Sequence, residues 1–170
     1  MGLDTAVARE VAWLSTTGDS LPSLPASAGG PWTVIDAYTQ AAATRTQATA
    51  IYVTLGPSQN LRVANQRTRL RFQFRLELRW PVVITTPGTS TSIAAAAQQA
   101  FDTATELLRQ RVAGPLGDKS HGGRFLSAAE AQRGQPGIDI QPEPADQAIK
   151  ASKELRKLVV YWADDYEVSN

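Results

Sequence analysis

Cysteine is absent from the 170 residues. That absence removes disulfides, thiolate metal sites and thiol nucleophiles together, and leaves the redox compartment unspecified. Histidine occurs once, as His121; with no cysteine to complete a ligand set, a protein-only zinc site is not expected. No apolar run approaches the roughly 20 residues needed to span a bilayer. The opening Met1-Gly2-Leu3-Asp4 has neither the basic region nor the apolar stretch of a signal peptide, and Ala6 stands where a myristoylation motif needs Ser or Thr. Neither sign of charge dominates. Seventeen Lys and Arg against sixteen Asp and Glu leave a net charge of +1, so no bulk attraction to nucleic acid or membrane is expected.

What is present points first to a sheet. The length suits one domain spanning 1–170, and 42% apolar residues, many of them alanine, suffice for a core. Residues 68–80 read Thr-Arg-Leu-Arg-Phe-Gln-Phe-Arg-Leu-Glu-Leu-Arg-Trp. Every even position from Leu70 to Trp80 is apolar, and Arg69, Arg71, Gln73, Arg75, Glu77 and Arg79 are polar. Strict alternation marks a half-buried antiparallel strand, because successive side chains leave opposite faces. Strands usually run about 5–6 residues; this one, at roughly 3.3 Å per residue, would extend about 40 Å. The expectation is that its surplus length lies on a neighbouring subunit.

Other elements follow from pattern. Leu3, Val7, Val11 and Leu14 form the stripe of a short helix over 3–15, with Arg9 and Glu10 outside it. Pro22, Pro25 and Pro31 make 18–31 a loop. A short strand is expected over Trp32–Ile35 and an Ala-rich helix over Asp36–Thr46. Thr49–Leu55, rich in β-branched and aromatic residues, is a strand, broken by Gly56-Pro57-Ser58. It pairs with 68–80 as a hairpin whose long tip is 56–67. The strongest helix runs from Thr91 to Val112, along Ile93, Ala97, Ala100, Phe101, Ala104, Leu107, Leu108 and Val112. Ser90 or Thr91 can cap it, and Gly114-Pro115 stops it. Next come a loop over 114–124, a short helix opened by the capping-box spacing Ser127-Ala-Ala-Glu130 and closed by Gly134, and a short strand over Gly137–Gln141. Ala145–Lys153 is helical by propensity. Leu155–Val168 is a second long strand, apolar on both faces from Leu158 to Trp162 and therefore expected in the sheet centre or at an interface. Helix, strands, helix, strands give an α+β class: an antiparallel sheet packed by an N-terminal helix and a long central helix.

Chemistry is sparse. His121 lies in Ser-His-Gly-Gly-Arg, which reads as a surface loop without a recognisable nucleophile and carboxylate around it. Gly114 to Ser120 is not a phosphate loop, because Asp118 separates Gly117 from Lys119 and the segment follows a helix. Asp164, Asp165 and Glu167 form an acidic cluster whose spacing matches no calcium loop. No metal, cofactor or catalytic residue is expected. The arginine row carries more weight. Assembly is the leading reading: Arg69, Arg71, Arg75 and Arg79 of one copy meet Asp164, Asp165 and Glu167 of the next, a heterologous contact that closes by rotation. A solvated sheet face ranks second. Contact with nucleic acid ranks third, because Phe72, Phe74 and Trp80 share the apolar face and are not interleaved among the arginines for stacking.

The order of Leu3–Ser15, Thr49–Leu55, Thr68–Trp80, Ile93–Val112 and Leu155–Val168, including Leu107-Leu108-Arg109 and the Val-Val-Tyr-Trp core, resembles the tail terminator proteins of long-tailed bacteriophages. The resemblance implies a non-enzymatic virion protein, assembled in the host cytoplasm, that forms a homohexameric ring at the head–tail junction. Such a ring ends polymerisation of the major tail tube protein and joins the tail to a head completion or connector protein. The tape measure protein is a further candidate partner, DNA only passes through the lumen, and no membrane is involved. A nucleic-acid-binding module, or another neck protein of the same particle, is the alternative. Loops 18–31 and 56–67, with Trp32, Arg62 and Arg67, are candidates for contacts above and below the ring.

Overall fold

The alternation in residues 67–81 does produce one long strand, and the chain supplies its partners. In a computed structural model, which describes residues 3–17, 21–37, 48–64, 67–83, 90–113, 119–131, 134, 136–142 and 154–168, the first strand, β1, spans Val34–Ala37, β2 spans Ala50–Ala64 and β3 spans Arg67–Pro81. Two further short strands, β4 (Ser127–Ala128) and β5 (Ile138–Pro142), precede β6 (Glu154–Val168). The helices are α1 (Leu3–Leu14) and α2 (Ser90–Ala113). The class is α+β, with a curled, mostly antiparallel sheet in the order β1-β2-β3-β6-β4, and β5 also paired to β6. Among the described strands only the β1–β2 pair runs parallel.

All three long strands have 15 residues. Antiparallel pairing joins β3 to β6 from Arg67↔Val168 to Pro81↔Glu154 without a register shift. The main-chain groups of β3 are thus satisfied by β2 on one side and β6 on the other. The length expected to need a neighbouring subunit is absorbed within the chain. The tip expected over 56–67 is also mostly strand. Gly56 and Pro57 sit in a register shift between Leu55 and Ser58, and β2 then continues to Ala64. A bulge accommodates a proline because it leaves one residue outside the ladder.

One face of the sheet is the core. Leu70, Phe72, Phe74, Leu76 and Leu78 of β3 are buried there with Ile51 and Val53 of β2 and Val159, Tyr161 and Ala163 of β6. Each fully buried aliphatic or aromatic side chain contributes about 1.5–3 kcal/mol of gross burial. Both helices contact this face. α1 presents Ala6, Val7, Trp13 and Leu14, and α2 presents Phe101, Ala104, Leu108 and Val112. The expected stripe of α2 holds only in its C-terminal half. Ala94, Ala95, Ala96 and Ala100 are exposed, and that segment relies on alanine's intrinsic helix propensity more than on packing.

Elsewhere tertiary pairing overrode local signals. The capping-box segment 127–130 is not helix, and its first two residues are strand: Ser127 and Ala128 pair with Asp164 and Ala163, and the Leu126 and Ala129 amides donate to the carbonyls of Asp164 and Trp162 at 2.8 Å. A strand edge on β6 offers main-chain partners that one helical cap cannot match. Asp36 and Ala37, expected in a helix, belong to β1; the rest of that segment, like 145–153, lies outside the described residues. The loop before β1 is folded tightly. The Ala26 amide donates to the Trp32 carbonyl at 2.7 Å and the Trp32 amide to the Leu24 carbonyl at 3.0 Å, and a Cβ at Gly30 would stand 2.2 Å from the Leu24 carbonyl oxygen.

Candidate functional site: the outer sheet face and a buried polar cluster

Antiparallel register sets the second face of the sheet. Arg71 lies opposite Asp164, Gln73 opposite Trp162, Arg75 opposite Val160 and Glu77 opposite Leu158. The charge complement expected between copies is therefore formed largely inside one chain. Arg69 Nη2 reaches Asp164 Oδ2 at 2.5 Å, and Arg71 Nε lies 3.5 Å from Asp164 Oδ1, near enough for Coulomb attraction but not for a hydrogen bond. The Arg71 guanidinium also sits 5.1 Å from the Trp162 ring centroid. Arg79 binds Glu77 at 2.7 Å and lies 5.3 Å from the Tyr52 ring. Asp165 is taken by Arg9 of α1 at 2.8 Å.

Three expectations about contact residues are corrected by burial. Trp32 is fully buried against Trp80 and Phe101, so it is a core residue and not a partner contact. Arg79 and Asp164 are buried, at 8% and 5% exposure, and held by their neighbours in the sheet. Arg75 is different: it is exposed, and among the described residues its side chain bonds only from Nε to Gln73 Oε1, at 3.1 Å. Among the described residues it makes no ion pair. Arg62, Arg67 and Glu167 fall within β2, β3 and β6 by backbone register.

The core face holds a second group, which sequence reading misplaced. His121 is not a surface residue; it is 0% exposed, as is Glu10. The histidine stacks on Trp13 with ring centroids 3.8 Å apart. Its Nδ1 faces Glu10 Oε2 at 3.0 Å and its Nε2 faces the Val112 carbonyl oxygen at 3.0 Å. The other Glu10 oxygen accepts a hydrogen bond from the Tyr161 hydroxyl. Burial, with the Glu10 carboxylate beside it, holds the Tyr161 phenol well above its usual range, so the hydroxyl stays protonated and donates. Four elements meet here: α1, the end of α2, the turn 120–125 and β6.

The turn delivers the ring by an unusual backbone. His121 has φ of +50°, followed by Gly122 at +69° and Gly123 at +77°. The left-handed region is costly for a side chain with a Cβ and free for glycine. The amides of Arg124 and Phe125 both donate to the Ser120 carbonyl at 2.9 Å, closing the turn. A sequence signal for this cluster existed. The pair of glycines after the lone histidine permits the inward turn, and Glu10, expected outside the α1 stripe, is buried: it lies three residues after Val7 and four before Leu14, a spacing that puts it on the same side.

The buried cluster has no exposed member. A shallow groove of about 430 Å³ between Trp80, Pro31 and the Ala96–Leu107 face of α2 has no titratable group in its lining. Among the described residues no group of three potential ligands could hold a metal ion, and no helix is long and apolar enough to cross a membrane. No protein-family model matches the sequence, and no curated protein matches it.

Proposed function

We propose that the protein is a structural component that assembles into a closed ring through the outer face of its sheet, as the tail terminator of a long-tailed phage does at the head-proximal end of a tail tube. The observation that carries the reading is that face. Neither helix packs on it, it presents exposed Arg75 without an acidic partner among the described residues, and Val160, Leu158 and Trp162 beside it are only half-buried. An arginine framed by half-buried aliphatic and aromatic side chains suits a protein interface, where Arg and aromatics are enriched. In this reading Arg71 and Asp164 set the shape of the surface, and Arg75 reaches the next copy. The tube protein and a head connector are the expected further partners, and no catalytic step is assigned.

The test is the assembly state of the purified chain, alone and with tube protein. Native mass and negative-stain images should show closed rings of about six copies, if not alone then on tube ends. The Arg75→Glu variant should melt like the parent yet fail to close rings or to stop tube growth. A parent that stays monomeric and leaves tube length unchanged, or an Arg75→Glu variant that assembles normally, overturns the proposal.

A further inference from the structure

The cluster under α1 obeys a proton count that follows from donor and acceptor chemistry. The Val112 carbonyl can only accept, so His121 Nε2 must carry a hydrogen. The Tyr161 hydroxyl donates to one Glu10 oxygen. The remaining contact, Nδ1 to Glu10 Oε2 at 3.0 Å, has room for one proton on either atom. With none, an imidazole lone pair faces a carboxylate in a fully buried site. With two, an N–H faces an O–H and the site gains a net positive charge. Charged groups on the adjoining elements oppose that charge further. Arg111 of α2 donates to the Trp13 carbonyl at 2.8 Å, and Arg124 of the turn donates to the His121 carbonyl at 3.2 Å. Arg9 of α1 is paired with Asp165 of β6, and Lys119 donates to the Ala113 carbonyl. Among the described residues no carboxylate other than Glu10 contacts the ring.

We infer that Glu10, His121 and Tyr161 form a binding site for a single proton that locks α1 and the turn 120–125 onto the sheet, and that either gain or loss of that proton releases the lock. The inference is independent of the assembly reading. Its sign is set by the unfolded chain. Between the ordinary imidazole and carboxylate ranges the unfolded chain also holds one proton on this pair, so stability is flat there. Above the imidazole range the unfolded chain has lost that proton and the folded cluster keeps it, so stability falls as pH rises. Below the carboxylate range the unfolded chain takes a second, and stability falls as pH falls. Each limb has a slope of about tenfold in the folding equilibrium per pH unit.

Glu10→Gln separates this from an ordinary buried pair. A glutamine amide can donate to Nδ1 of a neutral histidine and accept from Tyr161, keeping every contact while binding no proton. The variant's equilibrium should be flat above the imidazole range and fall about tenfold per unit below it. Parent and variant should therefore diverge by one proton between those two ranges when unfolding by urea is followed against pH. Imidazole nitrogen resonances give a second readout that needs no variant, because His121 is the only histidine. Nε2 should carry a hydrogen in the folded protein, because the Val112 carbonyl it faces can only accept. Parallel stability profiles for parent and Glu10→Gln, or an Nε2 that carries no hydrogen in the folded protein, overturn the inference.

Discussion

Two charged clusters sit back to back on β6, and they differ in what surrounds them. Tyr161 points to the core, where Glu10 and His121 are fully buried. Three residues on, Asp164 points to the outer face, where it meets Arg69 and Arg71 with side-chain exposures of 35% and 14%. The contacts are similar in kind. Their worth is not, because removing one partner of a fully buried pair strands the other without water, while partly exposed pairs are screened and solvated when broken. The comparison teaches that the arginine row, prominent in sequence, is mostly paired within its own sheet at the edge of solvent, and that the single histidine, unremarkable in sequence, is wholly buried where α1, α2 and β6 meet.

The largest effect should come from placing a lone charge on the deep side. Phe74 touches Tyr161 and Phe125, and Phe74→Asp would bury a carboxylate with no cation in contact. Loss of cooperative thermal unfolding by circular dichroism is the expected outcome; a soluble variant with a sharp transition would mean the core face is misassigned. Next, Glu10→Ala leaves His121 and Tyr161 without their shared acceptor and should cost about 3–5 kcal/mol in urea unfolding. Arg71→Ala on the outer side loses one ion pair and one stacking contact and should cost only about 1 kcal/mol. If those two losses turn out equal, burial is not what separates the clusters.

The smallest effect concerns an exposed pair that bridges α2 to β6. Lys157 holds Asp102 by a hydrogen bond at 2.5 Å, which lowers the Asp102 carboxyl below the usual carboxylate value. A depressed carboxyl contributes stability above its unfolded value and loses it as pH falls through its folded value. Because the side chain of Asp102 is 56% exposed, solvent screening keeps that contribution small. Lys157→Met should shift the Asp102 carboxyl titration upward by NMR with little change in melting temperature. An unmoved titration would show that the pair does not persist in solution.

Elements with strong periodicity were legible. The 3–15 and 91–112 stripes, the alternation of 68–80 and the apolar run at 158–162 correspond to α1, α2, β3 and β6. Misreadings fell where a short local pattern competed with a long-range partner. Ser127-Ala-Ala-Glu130 carries a helix cap but lies along an available β6 edge. Gly56-Pro57 carries a break but sits in a bulge of a strand held by β3 on one side. The candidate interface was legible as a basic row facing an acidic strand end, yet nothing local shows that the two strands are neighbours.

Period and composition alone determined which residues of β3 enter the core, because side-chain direction along a strand is fixed by the alternation of the backbone itself. They also determined the α+β class and the absence of thiol chemistry. Only the tertiary structure decided which charges meet. Register between strands distant in sequence put Arg71 beside Asp164, and a left-handed turn drove His121 under α1 against Glu10, 111 positions away. Pairing of that kind depends on where the whole chain closes, which no local spacing records.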